Sequence, residues 1–281
     1  MNNETILITG NSGKTGSRVE QKLNSLGIAT RGVSRSTAIA FDWNDPSTWT
    51  RALADMTTAY ITFQPDLAVP GATDIMQAFI SLAKSTGLKK IVLLSGRGED
   101  GAQQAEQVVI NSGLEWNIVR ASWFAQNFSE GFMLEGILSG EMILPKATIP
   151  EPFIDVDDIA DVAVAALTQT HLSNQVFEVT GPELMTFADC INAISAATGR
   201  AIQLKSVSVD EYINHLQAQG LPEEVLWLMR ELFTEVFDGR NATVQQGVEL
   251  ALGRSASSFN DYINKTLVSG AWAIKKPIAQ A

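Results

Sequence analysis

The sequence has one cysteine, Cys190, and two histidines, His171 and His215. A single thiol cannot close a disulfide within the chain, and a Cys-rich zinc site is excluded. The same scarcity leaves a His-rich metal centre or a Ser-His-Asp triad little to draw on. No apolar run reaches the ~20 residues that cross a bilayer, so no membrane association is expected. Basic charge is also short: 20 Lys and Arg face 31 Asp and Glu, a formal net charge of -11. Such a chain repels phosphate backbones, so no nucleic-acid partner is expected, although a local basic pocket for one small anion stays open. The chain enters a strand pattern soon after Met1, without a charged-then-apolar leader pattern, and the expected location is cytoplasmic.

What is present suits a folded chain with a sizeable core: 281 residues, 45% of them hydrophobic. Ile6, Leu7 and Ile8 read as a buried strand. Val19, Leu23 and Leu26 then fall at helical spacing, and Gly27 offers a helix stop. The grammar repeats. "IATRGV" and "TAYITF" read as strands. A helix carrying Ile75, Met76, Phe79, Ile80 and Ala83 stops at Gly87 before the strand "KKIVLL". A helix carrying Val108, Val109 and Ile110 stops at Gly113 before "EWNIV". This alternation predicts an α/β fold, a doubly wound parallel sheet. After about Phe128 the rhythm loosens. "DVDDIADVAVAALTQ" is a helix with acids in its first turn, and "QVFEVTG" is one more strand. Beyond Gly181 the chain reads as mostly helical, with capping boxes at Thr186/Asp189, Ser208/Glu211 and Ser258/Asp261.

"ILITGNSGKTGSRV" contains Gly-Lys-Thr, the tail of a triphosphate-binding P-loop. That loop needs a glycine five residues before Gly13, at a position held by Ile8 inside the strand. The dinucleotide alternative needs strand, glycine-rich turn and helix in that order, and all three are here. Its glycines give a tight turn, close approach to a pyrophosphate and close helix packing, while the helix N-terminus offers free amides. The spacing is G-x-x-G-x-x-G rather than G-x-G-x-x-G. At the end of the second strand an NAD site usually places an acid. Here Ser34-Arg35-Ser36 stands instead, which suits a 2′-phosphate and favours NADPH over NADH, unless Arg35 is simply a solvated strand end. Lys14 adds positive charge within the loop.

With the glycine loop, Arg35, "FDWNDP" and "LLSGRG" in view, the chain resembles the NmrA-like atypical short-chain dehydrogenases/reductases. "SGLEWNIVRASWFAQNF" and "PFIDVDDIADVAVAAL" resemble that group's later strand and helix. "FEVTGPELMTFADCINAISAATGR" and "LVSGAW" are similar to members allied to ergot-alkaloid reductases. The resemblance implies a Rossmann-type sheet that binds NAD(P)H, with a smaller, mostly helical C-terminal domain. The expected division is 1-130 and 152-182 for the cofactor domain, and 131-151 and 183-281 for a substrate-covering domain. Carried over by position, Gly10, Asn11, Ser12, Gly13, Lys14, Thr15 and Gly16 would hold the pyrophosphate. Ser34 and Arg35 would take the 2′-phosphate, and Asp42 and Trp43 would flank the adenine. Phe63, Gln64 and Pro65 would end the family's fourth strand near the nicotinamide ribose. Ser95 would end its fifth, where the wider superfamily keeps an active-site serine. That superfamily also uses Tyr-x-x-x-Lys on the next helix. Here "GRGEDGAQQAEQVVINSG" has neither tyrosine nor lysine.

Without that proton donor, an iminium, quinone or other conjugated acceptor is easier to reduce than a plain carbonyl. The expected activity is therefore NADPH-dependent hydride transfer to a small conjugated or aromatic electrophile, with Ser95 as a catalytic candidate. The alternative is an NAD(P)-sensing regulatory protein without catalysis. Trp123, Phe124, Asn127 and Trp227 are candidate substrate contacts, and Gln126 is either a polar contact or a turn residue. Phe128 and Phe233 read equally as pocket or core. No metal is expected: "DVDD" and Asp161 read as acids at a helix start. His171 and His215 read as surface residues and Cys190 as a buried thiol.

Overall fold

The computed structural model describes residues 5–274. The expected outer domain limits at 1 and 281 lie outside them. Strand β1 (Ile6–Thr9) leads into helix α1 (Lys14–Ser25) and then β2 (Thr30–Val33). A short α2 (Trp49–Leu53) precedes β3 (Thr58–Ile61), α3 (Ala72–Ser85), β4 (Lys90–Gly96), α4 (Asp100–Ile110) and β5 (Glu115–Ala121). Next come α5 (Asn127–Glu130), α6 (Leu134–Ser139), β6 (Glu141–Pro145), α7 (Val156–Thr168) and β7 (Gln175–Val179). The remainder holds α8 (Phe187–Thr198), β8 (Gln203–Val207), α9 (Val209–Ala218), α10 (Glu223–Glu231), α11 (Gly247–Leu252) and α12 (Phe259–Ser269).

The main sheet has the order β2-β1-β3-β4-β5-β7, and every pairing in it is parallel. The chain runs outward from β1 to β2, then returns to the other side of β1 with β3. That reversal opens a crevice beyond the C-terminal ends of β1 and β3. "TAYI" and "KIVLLSG" are thus the third and fourth strands here, not the fourth and fifth. "FDWNDP" contains one isolated bridge, Asp42 with Asp45, and follows another between Ser34 and Ala40.

The sheet is covered on both faces, so its strands are apolar on both sides. In β1, Leu7 faces the cluster that contains Met76, Phe79 and Val109, while Ile6 and Ile8 face the one built on α1 and α7. Helix α7 is buried along almost all of its length. The acids at its start are matched by cations: Asp157 to Arg18 at 2.8 Å, and the N-cap Asp155 to Lys265 at 2.9 Å. Asp158 pairs with Arg254, and Asp161 with both Lys22 and Arg254.

All three capping boxes form, each with side chain and backbone bonded reciprocally. Leu26 departs from expectation: it is 63% exposed, because α1 ends at Ser25 and the chain turns away before the leucine can face the sheet. A second sheet, β6 with β8 in parallel, lies in the region expected to be irregular or helical. Helix α11, although late in the chain, packs on α7 and β7. The carbonyl of Glu178 lies 2.1 Å from where a Gly247 β-carbon would stand. No helix among the described residues is long and apolar enough to cross a membrane.

Candidate active site

The turn after β1 is built by close approaches. Gly10 has φ +64, and its amide donates to the Val33 carbonyl at 3.0 Å, tying the ends of β1 and β2 together. A β-carbon at Gly10 would stand 2.4 Å from Thr62 Oγ1, and one at Gly16 would stand 2.4 Å from the Gly10 carbonyl oxygen. The chain therefore folds flat against itself and delivers α1 directly into the crevice. The amides of the first turn of α1 lack intrahelical acceptors, and no side chain caps them. Four later helices contrast with this, capped by Asp155, Thr186, Ser208 and Ser258.

A cavity of about 660 Å³ opens from that turn and runs across the strand ends. Gly10, Ser12, Gly13, Lys14 and Thr15 line one end of it. Phe63, Gln64 and Pro65 follow from β3, Ser95 from β4, and Trp123, Phe124 and Asn127 from beyond β5. An uncapped helix start, a turn closed to a β-carbon at Gly10 and Gly16, and a lysine without an ion pair among the described residues fit a pyrophosphate. Burial holds the Lys14 ammonium below its ordinary range, with Glu130 opposing and Arg18 assisting the shift. An incoming anion would oppose that shift and favour the charged form.

Other expected contacts sit elsewhere. Asn11 turns away from the cavity, its Nδ2 donating to Glu20 at 3.2 Å across the bare α-carbon of Gly32. Ser34 and Arg35 lie on the loop after β2, outside the cavity wall. Thr37 holds that loop through the Ser34 amide at 2.9 Å, and Arg35 is exposed with no ion pair among the described residues. Trp43 is in the core, edge-on to Phe41 and Phe79, with Nε1 donating to the Thr62 carbonyl at 3.0 Å. Asp42 organises its own turn by accepting from the Asn44 amide. Trp227 is exposed. Its neighbours Leu228, Met229 and Leu232 line the cavity, and at 100° per residue Trp227 falls off their face. Phe128 and Phe233 are fully buried in an aromatic cluster with Phe187. Both nitrogen and oxygen of the Gln126 amide bind the start of α7, at Asp155 and Val156. His171 and His215 are exposed, and Cys190 is fully buried.

Ser95 Oγ donates to Glu106 Oε1 at 2.6 Å. Glu106 has no solvent exposure and is held by Arg120, whose Nη1 also reaches Glu178 at 2.7 Å. The serine hydrogen is thereby directed away from the cavity, and its oxygen offers only lone pairs to a ligand.

Sequence reading missed the acids of this wall. Asp66, Glu99 and Glu151 all line the cavity. Burial pushes the Glu151 carboxyl up to about 7, against the Trp123 amide and the charge of Arg97. Asp66 follows "FQP" and Glu99 follows "SGRG", so both lie within a few residues of the segments singled out, but their meeting depends on strand order. The Arg97 guanidinium is turned away, donating to the carbonyls of Asn241 at 2.7 Å and Thr243 at 2.9 Å.

Residues 10–170 match the family described as NAD(P)H-binding. The chain is 30% identical to the uncharacterized oxidoreductase YesF of Bacillus subtilis, over 93% of this chain and 95% of that one. It is 29% identical to an agroclavine dehydrogenase of Claviceps fusiformis, over 92% and 96%. Its fold matches the NADPH complex of the Escherichia coli quinone oxidoreductase QOR2 with TM-score 0.78 at 18% identity, covering 93% of this chain and 99% of that one.

Proposed function

Because the chain belongs to the NAD(P)H-binding family, as an NAD(P)H-dependent oxidoreductase among the atypical short-chain dehydrogenases/reductases, we propose that it uses NADPH to reduce a small conjugated or aromatic electrophile. The observation that carries this reading is the continuity of the cavity: it runs from the glycine turn to an apolar wall of Phe63, Trp123 and Phe124. A protein that only sensed its cofactor would have no need of such space beyond the dinucleotide end.

The bound dinucleotide supplies the hydride. The chain's own residues do the rest. The first-turn amides of α1 and Lys14 hold the pyrophosphate, and Arg35, free in solvent, reaches for the 2′-phosphate. Leu228, Met229 and Leu232 of α10 and the turn after it cover the far end and exclude water. Ser95, its hydrogen held by Glu106, accepts rather than donates. In this reading the substrate cover expected at 131-151 and 183-281 would act through α10; α11, from the same stretch, packs on α7 and β7.

The test is NADPH oxidation by the purified protein with quinones, iminium compounds and cationic dyes. Turnover above background with at least one class is expected. The absence of tyrosine and lysine from α4 equally motivates the regulatory reading, which predicts no turnover and a marked difference in affinity between NADP+ and NADPH.

A further inference from the structure

The geometry points to the Asp66 and Glu99 carboxyls as a proton-sharing pair that donates to the reduced substrate, which selects neutral conjugated acceptors such as quinones. This inference rests on the reductase reading above and names the donor that reading lacks.

The pair is assembled by the sheet. β3 and β4 are neighbours, with Ile61 opposite Leu93, so the segments leaving their C-terminal ends lie side by side. Asp66 comes from the first and Glu99 from the second. Gly98, at φ +78, turns the chain back on itself, and a β-carbon there would stand 2.5 Å from Asn241 Nδ2. Glu99 consequently lies flat on the end of β4: a β-carbon at Gly96 would stand 2.2 Å from its carboxyl. The group is 8% exposed and lines the cavity, two residues beyond Arg97 and four beyond Ser95.

What surrounds Glu99 is unusual for a buried acid. Its Oε2 meets no hydrogen-bond donor among the described residues. Asp66 lines the same cavity wall, and its charge is the largest influence on Glu99 after burial. Two neighbouring carboxylates in one site resist ionising together, so in this proposal the pair retains a proton. Asp66 Oδ1 accepts from the Ala68 amide at 2.8 Å. Among the described residues no cation forms an ion pair with either acid. The other charged groups that bear on Glu99 are Glu106 of α4 and Glu231 of α10, both acids. Elsewhere around the cavity Glu130 is matched by Arg18, and Glu106 and Glu178 by Arg120, while Glu151 has no ion pair among the described residues. Burial first, and mutual repulsion second, hold the Glu99 proton well above the usual carboxylate range.

In the reaction the acceptor takes the hydride with its electron pair and is reduced by two electrons, while the dinucleotide is oxidised. Negative charge collects on the acceptor's oxygen. The carboxyl O–H bond of Glu99 breaks, its proton passes to that oxygen, and solvent later returns a proton to the pair. An acceptor that is already cationic becomes neutral on hydride addition and needs no such donor.

Two measurements test this. Infrared spectra of the cofactor-free Glu151→Gln protein at pH 7, which lacks the cavity carboxyl raised to about 7, should show the carbonyl stretch of a protonated carboxylic acid. In that background the band should be lost on adding Glu99→Gln and altered on adding Asp66→Asn. Steady-state rates with a neutral quinone and a cationic triarylmethane dye should then split. Glu99→Gln should lower kcat with the quinone by about 10²- to 10⁴-fold, the usual contribution of a general acid, and lower it less than about tenfold with the dye. The fall with the quinone should be mirrored in wild type as pH rises past the titration of the pair. A missing acid band at pH 7, or equal losses with both acceptors, overturns the assignment. If wild type turns over neither acceptor, the reductase reading fails and takes the donor role with it. That outcome is recognised by an acid band that persists without any turnover.

Discussion

The α-carbon of Gly16 lies so close to the carbonyl of Gly10 that a β-carbon would stand 2.4 Å from the oxygen and 2.8 Å from its carbon. The obstacle is backbone, which cannot swing aside as a side chain can. Gly16→Ala must push α1 away from the turn, and with it the amides that face the cavity. We expect a stability loss of about 1–3 kcal/mol, as for an overpacked core. NADPH binding should weaken by at least about tenfold, read by fluorescence titration. Gly13→Ala is the control. Its β-carbon would meet only the Gly10 carbonyl oxygen at 3.2 Å, so its effect on both measurements should be clearly smaller.

Arg35 is exposed and makes no ion pair among the described residues, so its removal breaks no interaction that supports the fold. If it grips the 2′-phosphate, Arg35→Ala should lose one or two charge-assisted hydrogen bonds, about 1.5–3 kcal/mol. The Kd for NADPH should rise about ten- to a hundredfold, with NADH changed little and the melting temperature unchanged. Calorimetric titration with both cofactors checks it. Equal weakening of the two, or none, removes Arg35 from the phosphate site.

The features legible in the sequence were the local ones. Strand, glycine turn and helix are contiguous between Ile6 and Ser25, and each capping box needs only a residue and its third neighbour. Thr186, Ser208 and Ser258 could therefore be read directly. Pairing across the chain left no comparable mark. Strands β6 and β8 join Glu141 to Gln203 through short, half-exposed segments, the first ending in Pro145. Neither carries a periodicity that separates it from loop. The face of α10 was hidden for the same reason: Trp227 and Leu228 are both apolar, and only docking decides which one turns inward. Trp43 looks like a site residue in "FDWNDP" until the tertiary fold buries it against Phe79. The acids of the cavity wall carry no local signal, because Asp66 and Glu99 are brought together only by the order of β3 and β4.

Beneath Ser95, Arg120 holds Glu106 through both its Nε, at 2.9 Å, and its Nη2. Glu106 is wholly buried, so Arg120→Met would leave a charge without compensation. We expect a loss of about 3–5 kcal/mol in urea unfolding at pH 7, the usual effect of breaking one side of a buried pair. Replacing both partners, as Arg120→Met with Glu106→Gln, should recover part of that loss, since no unpaired charge remains. If the double variant is no more stable than Arg120→Met, removing the stranded charge recovers nothing, and the ion pair is not what Arg120 contributes.

Glu151 offers a pH test with a definite sign. Its carboxyl is 3% exposed, and burial raises it from an ordinary 4.5 to about 7. Between those two values the folded protein keeps a proton that the unfolded chain has released. Stability must therefore fall as pH rises through that window, and level off above about 7. The full effect is on the order of 3 kcal/mol, from the size of the shift. Glu151→Gln keeps a carbonyl oxygen for the Trp123 amide, which lies 3.4 Å from Glu151 Oε1, and it cannot ionise. The variant should match wild type below about pH 4.5 and exceed it increasingly toward pH 7. Urea unfolding of the cofactor-free proteins across that range measures the difference directly. Subtracting the two curves removes the contributions of Glu99 and the other acids. Parallel curves would mean that the carboxyl finds solvent or a cation once it ionises, and that the cavity wall is wetter beside Trp123 than its burial implies.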